Sequence, residues 1–204
     1  MTDSSEVEFL QALADAGFPV SAVSDIRERY APMPDGLAMF LIDWLPRLRD
    51  SRLQETVAWS LLAARKRMLD GRRLAALFDE TSNAEMKTAL AAVFNQTGPL
   101  NSDDWLIAAL GRTASVAARN LLASAIAKWL PVEKSVPTLL SIFDQAPLAV
   151  VHPLGKVGGE EVREVLRHRL ATATGPLRRE LRQAIKRIER RLAKSQPACQ
   201  CDRP

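Results

Sequence analysis

Five apolar residues, Leu62, Phe94, Ile126, Leu154 and Ile185, follow one another at intervals of 32, 32, 28 and 31. Four residues before each stands another apolar side chain: Ala58, Leu90, Leu122, Val150 and Leu181. Seven before each stand Glu55, Lys87, Arg119, Pro147 and Arg178, four of them charged. Equivalent positions thus keep one burial class through five units. A helix repeats its face every 3.6 residues, so these positions belong to an amphipathic helix met once per unit. About 30 residues make two short helices and their turns. A pair that small buries its apolar face only by stacking on its neighbours, which is the logic of a solenoid.

The rest of the chain reads as helix as well. Ala (30 residues) and Leu (28) are abundant, while Phe, Trp and Tyr together number 11; this balance favours short, closely packed helices. Over the last helix Leu177, Leu181, Ala184, Ile185, Ile188 and Leu192 form one stripe, and every Arg and Lys lies outside it. No segment alternates strictly between turn signals, so no strand is expected. Breakers at 17–19, 32–36, 70–71, 81–83, 98–101, 131, 158–159 and 175–176 divide the chain into about twelve helices. These cover 5–16, 21–30, 37–49, 52–67, 71–79, 83–96, 102–111, 115–130, 134–143, 147–157, 159–171 and 175–193. Gly17 suits a helix end. Ser82 or Asn83, and Ser102, suit N-caps. Pro46 and Pro153 fall inside predicted helices. An interior proline costs about 3 kcal/mol in a regular helix. Pro153 implies a kink relieved by its neighbours, or a bend that opens a groove beside His152.

Three segments, 37–65, 116–143 and 154–192, resemble HEAT-type repeats. "LGKVGGEEVREVLRHRL" (154–170) and "LRRELRQAIKRI" (177–188) are similar to short bacterial HEAT-like units, with an end-of-helix LGK-apolar-G, an acidic turn and an Arg-opening second helix. The resemblance covers roughly 37–192. It implies an all-α, right-handed α-α superhelix of five to six helix pairs without β-sheet. Residues 1–194 then make one repeat domain, with a capping pair (1–36), units at 37–67, 71–96, 102–130, 134–157 and 159–193, and a flexible tail at 195–204. It also implies a bacterial protein–protein interaction module without cofactor, binding a partner as adaptor, scaffold or inhibitor.

Charge is uneven. Residues 1–50 carry nine acids and four bases, whereas 163–194 carry eleven bases and three acids. Such a field steers anionic partners to one end. The N-terminus is acidic and polar, without the look of a secretory signal, and the two cysteines, Cys199 and Cys201, stand in the last six residues. A cytoplasmic protein without a disulfide framework is expected.

Catalytic material is sparse. His152 and His168 have no second His or Cys at metal-ligand spacing, and the Cys199-x-Cys201 pair supplies two ligands at most. No metal site is expected. Phosphate-loop, dinucleotide and H-E-x-x-H motifs are missing. Asp103-Asp104 and Glu160-Glu161 sit at helix starts, where they complement the dipole. Of Trp44, Trp59, Trp105 and Trp129, most are expected to pack in the core. Trp105 behind two acids bears a weak likeness to HEAT-like DNA glycosylases or lyases, whose pocket would need an aromatic residue, a carboxylate and a cation.

Two surfaces remain. One is a charged track on the second helices, expected to line the concave face and to meet a protein: Glu55, Lys87, Arg119, Lys128, His152, Lys156, Arg178 and Arg187. The other, the alternative, is a nucleic-acid surface on the last helix: Arg178, Arg179, Arg182, Lys186, Arg187, Arg190 and Arg191. Its bases spread around the exposed helix and do not form a narrow stripe.

Overall fold

The computed structural model describes residues 4–100 and 102–195. These form twelve α-helices, with no strand among the described residues. They are α1 (Ser4–Asp15), α2 (Asp25–Arg29), α3 (Leu37–Trp44), α4 (Ser51–Ser60), α5 (Gly71–Glu80), α6 (Ala84–Thr97), α7 (Asp103–Arg112), α8 (Val116–Trp129), α9 (Val132–Ser141), α10 (Pro147–Val157), α11 (Glu160–Thr172) and α12 (Gly175–Ser195). None of the described helices is long and apolar enough to cross a membrane. The chain divides into two compact units at Lys128 and Trp129, the last two residues of α8.

Local sequence explains most helix ends. Asp50, Asp70, Asn83 and Ser102 cap α4, α5, α6 and α7, each accepting from backbone N–H groups of the first turn. Gly17, at φ 88°, closes α1. Its N–H bonds the Ala14 carbonyl and the Phe18 N–H bonds that of Leu13, the paired bonds of a Schellman ending. Asp103, Asp104, Glu160 and Glu161 lie in first turns.

Three expected helices are shorter than the pattern suggests. The helix expected over 21–30 is only Asp25–Arg29, because Asp25 Oδ2 accepts from the Ala22 N–H and folds 22–25 into a turn. The helix expected over 37–49 stops at Trp44. Pro46, without an N–H, sits in a 3₁₀ turn, Leu45–Arg47. The helix expected over 52–67 stops at Ser60, and 3₁₀ turns follow at Leu61–Ala63 and Lys66–Met68. Leu61 is fully buried while the expected anchor Leu62 is half-buried. Conversely, α10 runs unbroken through a buried Pro153, and α9 through an exposed Pro137. The helix α12 reaches Ser195, one residue into the expected tail; Cys199 and Cys201 lie outside the described residues.

In the first unit α4 and α5 both pack on α6, and α2 and α3 pack on α4. Ala58, Leu90 and Leu122, the positions four before the anchors, are completely buried. Phe9 of α1 meets Phe40 and Trp44 of α3 at ring-centroid distances of 6.2 and 5.6 Å. In the second unit α10 packs on α9 and α12, and α11 on α12. Val150, Leu154, Leu166, Leu181 and Ile188 are completely buried there.

Candidate interaction surface

In the first unit three residues of the charged track contact the fold. Lys87 Nζ stands 5.5 Å from the centre of the Phe78 ring. Arg119 Nη2 donates to the carbonyl of Thr113, the residue that ends α7, at 2.6 Å. Lys128 Nζ donates to the Asn95 carbonyl at 3.3 Å, and Gln96 does the same to Leu62 at 3.1 Å. The offsets of 33 and 34 residues lie close to the spacing of 28 to 32 between the apolar anchors. Glu55 is half-buried in α4. The expectation names Lys128 but passes over Gln96, which carries no charge to signal it.

A cluster of aromatic and charged groups also forms here. Trp105 Nε1 donates to Asp79 Oδ2 at 2.9 Å, and Arg112 Nη2 donates to Asp79 Oδ1 at 3.0 Å. Phe94 and Phe78 hold the indole at centroid distances of 4.6 and 5.6 Å. A cleft of about 420 Å³ opens beside it, floored by Gly71, Ala75 and Ala76. The carboxylate at Trp105 is therefore Asp79, from the preceding helix pair, not Asp103 or Asp104. Both of its oxygens already accept. Trp44, Trp59 and Trp105 are half-buried, and Trp129 is exposed.

The second unit shows why its arginines differ. Gly155 of α10 lies against Ala184 of α12 so closely that a Cβ at 155 would fall 2.9 Å from the Ala184 Cα. The two helices thereby bring long side chains of α12 to the end of α10. Arg191 donates to the carbonyls of Gly155, Lys156 and Gly158. A cation on C-terminal carbonyls satisfies orphan acceptors and the negative end of the dipole. Arg187 Nη1 lies 3.1 Å from His152 Nδ1. His152 is held below its ordinary pKa, first by burial and then by Arg187 and Lys156, with Glu180 acting the other way. A neutral ring accepting from Arg187 fits that environment. Arg178 Nη1 donates to the carbonyl of Ala173, the residue that ends α11, at 3.4 Å. This is the bond that Arg119 makes to Thr113 in the first unit.

The arginines of α11 are neutralised too. Arg163 pairs with Glu160 and Glu164, Arg167 with Glu164 and Glu189, and Arg169 with Asp144. His168 is exposed among them.

Arg178, itself exposed, and the half-buried Arg187 and Arg191 thus each hold a partner within the fold. What is left of the expected basic cluster is Arg179, Arg182, Lys186 and Arg190, all exposed. At about 100° per residue these four fall within an arc of about 80°. That arc lies opposite the buried stripe Leu181, Ala184, Ile185 and Ile188. Lys194, also exposed, continues it. The two acids of α12 lie on its flanks: Glu189 meets Arg167 of α11, and Glu180 acts on His152 of α10. The seven bases do spread around the helix, but the four that remain form a narrow ridge.

No family model, curated protein or solved structure matches the chain.

Groups able to hold a metal ion, three or more His, Cys, Asp or Glu together, are not found among the described residues. The helices α11 and α12 of the second unit differ in their electrostatics. The α11 face presents closed ion pairs, whereas the α12 ridge presents a row of cations with no acid among them.

Proposed function

We propose that this protein is a non-enzymatic, HEAT-like interaction module that engages an anionic macromolecular partner through the exposed ridge of α12. The observation that carries this reading is the segregation of cations within one unit. Arg163, Arg167 and Arg169 of α11 all have carboxylate partners. Arg179, Arg182, Lys186 and Arg190 share one face on which no acid stands. Like charges at i,i+3 and i,i+4 destabilise a helix by about 0.2–0.5 kcal/mol per pair. The ridge thus costs the isolated helix on the order of 1 kcal/mol, which a bound anion would relieve.

The HEAT-like part of the reading is supported by the roughly repeat-length offsets of the inter-helix bonds, from Gln96 to Leu62 and from Lys128 to Asn95 in one unit and from Arg191 to Gly155 in the other. The non-catalytic part is supported by the engagement of the best candidate groups: both Asp79 oxygens accept, and Arg187 occupies His152 Nδ1. In this reading Arg119, Lys128 and Arg178 of the expected track serve the scaffold.

Titration with heparin, a generic polyanion, tests the proposal. The native chain is expected to bind at low salt, and R182E/K186E to bind at least tenfold more weakly with an unchanged circular dichroism spectrum. Equal affinity of the two proteins would remove the ridge from the interaction.

A further inference from the structure

We infer that the partner on the α12 ridge is a nucleic-acid duplex, gripped by its phosphate backbone without reading of sequence; the inference rests on the ridge being an interaction surface at all.

Three observations point to this class. The first is linear order. Arg179, Arg182, Lys186 and Arg190 step along one straight helix at intervals of three, four and four residues. They span about 16 Å, with one positive charge roughly every 5 Å. A rigid row of that kind matches a partner that is itself rigid and regularly charged, and a duplex carries one negative charge per about 1.7 Å of axis.

The second is what the ridge lacks. The one other described side chain inside its arc is the small Ala193, exposed; Gln183, also exposed, and Glu189 stand about 20° beyond its two edges. Protein interfaces are anchored by buried aromatic or apolar side chains at their centre, and single-stranded nucleic acid is held by stacking its bases on aromatic rings. Neither anchor exists among the described residues of the ridge. Charge alone suffices for a duplex, because phosphate contacts supply essentially all of sequence-independent affinity.

The third is rigidity. Arg191 ties α12 to the end of α10, and Gly155 lets the two helices touch. Arg167 ties α11 to α12 through Glu189. The ridge is thereby presented on a braced helix, and little ordering of the scaffold is required on binding.

The test compares three probes by fluorescence anisotropy with the full chain at about 50 mM salt: a mixed-sequence duplex DNA of about 20 base pairs, one of its strands alone, and polyglutamate. The duplex is expected to bind tightest, with little dependence on its sequence. Log affinity is expected to fall with log salt at a slope of about −3.6, so that fourfold more salt costs about 150-fold. R182Q alone should lower the slope by about 1. The variant R179Q/R182Q/K186Q/R190Q should lose duplex binding at least tenfold. R27Q/R49Q/R52Q/R65Q removes as many exposed charges from the first unit and should stay within about threefold of the native chain, since those bases contact no phosphate. Equal weakening by the two fourfold variants would reduce the effect to net charge and overturn the inference. Polyglutamate or the single strand binding as tightly as the duplex, with binding lost in the ridge variant, would overturn the duplex assignment and leave the interaction surface standing. Failure of all three probes to bind would overturn both.

Discussion

Arg178, Arg187 and Arg191 stand among the four ridge cations in sequence yet do different work. Each lies beside the buried stripe of α12, where a long side chain reaches a neighbouring helix before it reaches water. Arg191 is the strongest case, because its guanidinium serves three carbonyls at once. A lysine there offers a point charge without the planar fork. Arg191→Lys is expected to destabilise the fold by about 1 kcal/mol, read from the denaturant midpoint. Gly155 gives a sharper test. Alanine ordinarily improves a helix interior by up to about 1 kcal/mol over glycine, but here its Cβ meets the backbone of Ala184. Overpacking of that kind costs about 1–3 kcal/mol, so Gly155→Ala should lower stability; a rise in the denaturation midpoint would mean that α10 and α12 do not touch. His152 gives a pH dependence. Its folded pKa lies below the ordinary value of 6.5, so the unfolded chain takes up the proton first as the pH falls. Stability conferred by the neutral ring is present above about pH 6.5 and is lost as the pH drops through and below it. His152→Gln should flatten that part of a melting-temperature profile between about pH 7 and 5.

At the scale of elements, caps and breakers act as the local chemistry requires. Asn83 accepts from Glu85 and Met86 and also donates to the Ser51 carbonyl, joining α6 to the start of α4. Asn83→Ala removes both functions and should cost about 1–2 kcal/mol, toward the upper range for a cap. The α12 ridge predicts the opposite sign. Its four side chains are exposed, and replacing them with glutamine removes like-charge repulsion while keeping helix propensity. R179Q/R182Q/K186Q/R190Q should therefore melt at or above the native temperature, and a clear fall would show that the ridge serves the fold. Where elements depart from expectation, chain winding is the reason. Around residue 60, Leu61 follows the buried Val57 by four and Leu62 the buried Ala58 by four; where the chain tightens into a 3₁₀ turn after Ser60, Leu61 stands inside and Leu62 is half-buried. Pro46 ended a helix and Pro153 did not. A proline near a helix end needs only early termination, whereas Pro153 is buried in α10 among partners that hold the helix together.

Across the whole chain, charge is graded from nine acids and four bases in residues 1–50 to eleven bases and three acids in 163–194. A polyanion should accordingly leave its mark at one place. Hydrogen exchange with the duplex bound is expected to slow in α12 and to stay unchanged over residues 1–50; protection spread evenly along the chain would contradict the ridge. The helix count, most boundaries, the capping residues and the buried positions four before each anchor follow from the amino-acid order, because periodicity, caps and breakers act within a few residues. The ridge itself was within reach of the same arithmetic, since the angle of each residue around α12 is a property of the sequence. Which arginines were already spent was not. Arg178 reaches only to Ala173, five residues before it, whereas for Arg167, Arg187 and Arg191 that depends on partners 22 to 36 residues away, Glu189, His152 and Gly155. The same holds for Asp79, which finds Trp105 from 26 residues away. Short-range order sets where helices begin and which faces they bury. Only their packing, down to the contact of Gly155 with Ala184, decides which charged side chains reach a partner inside the fold and which are left facing water.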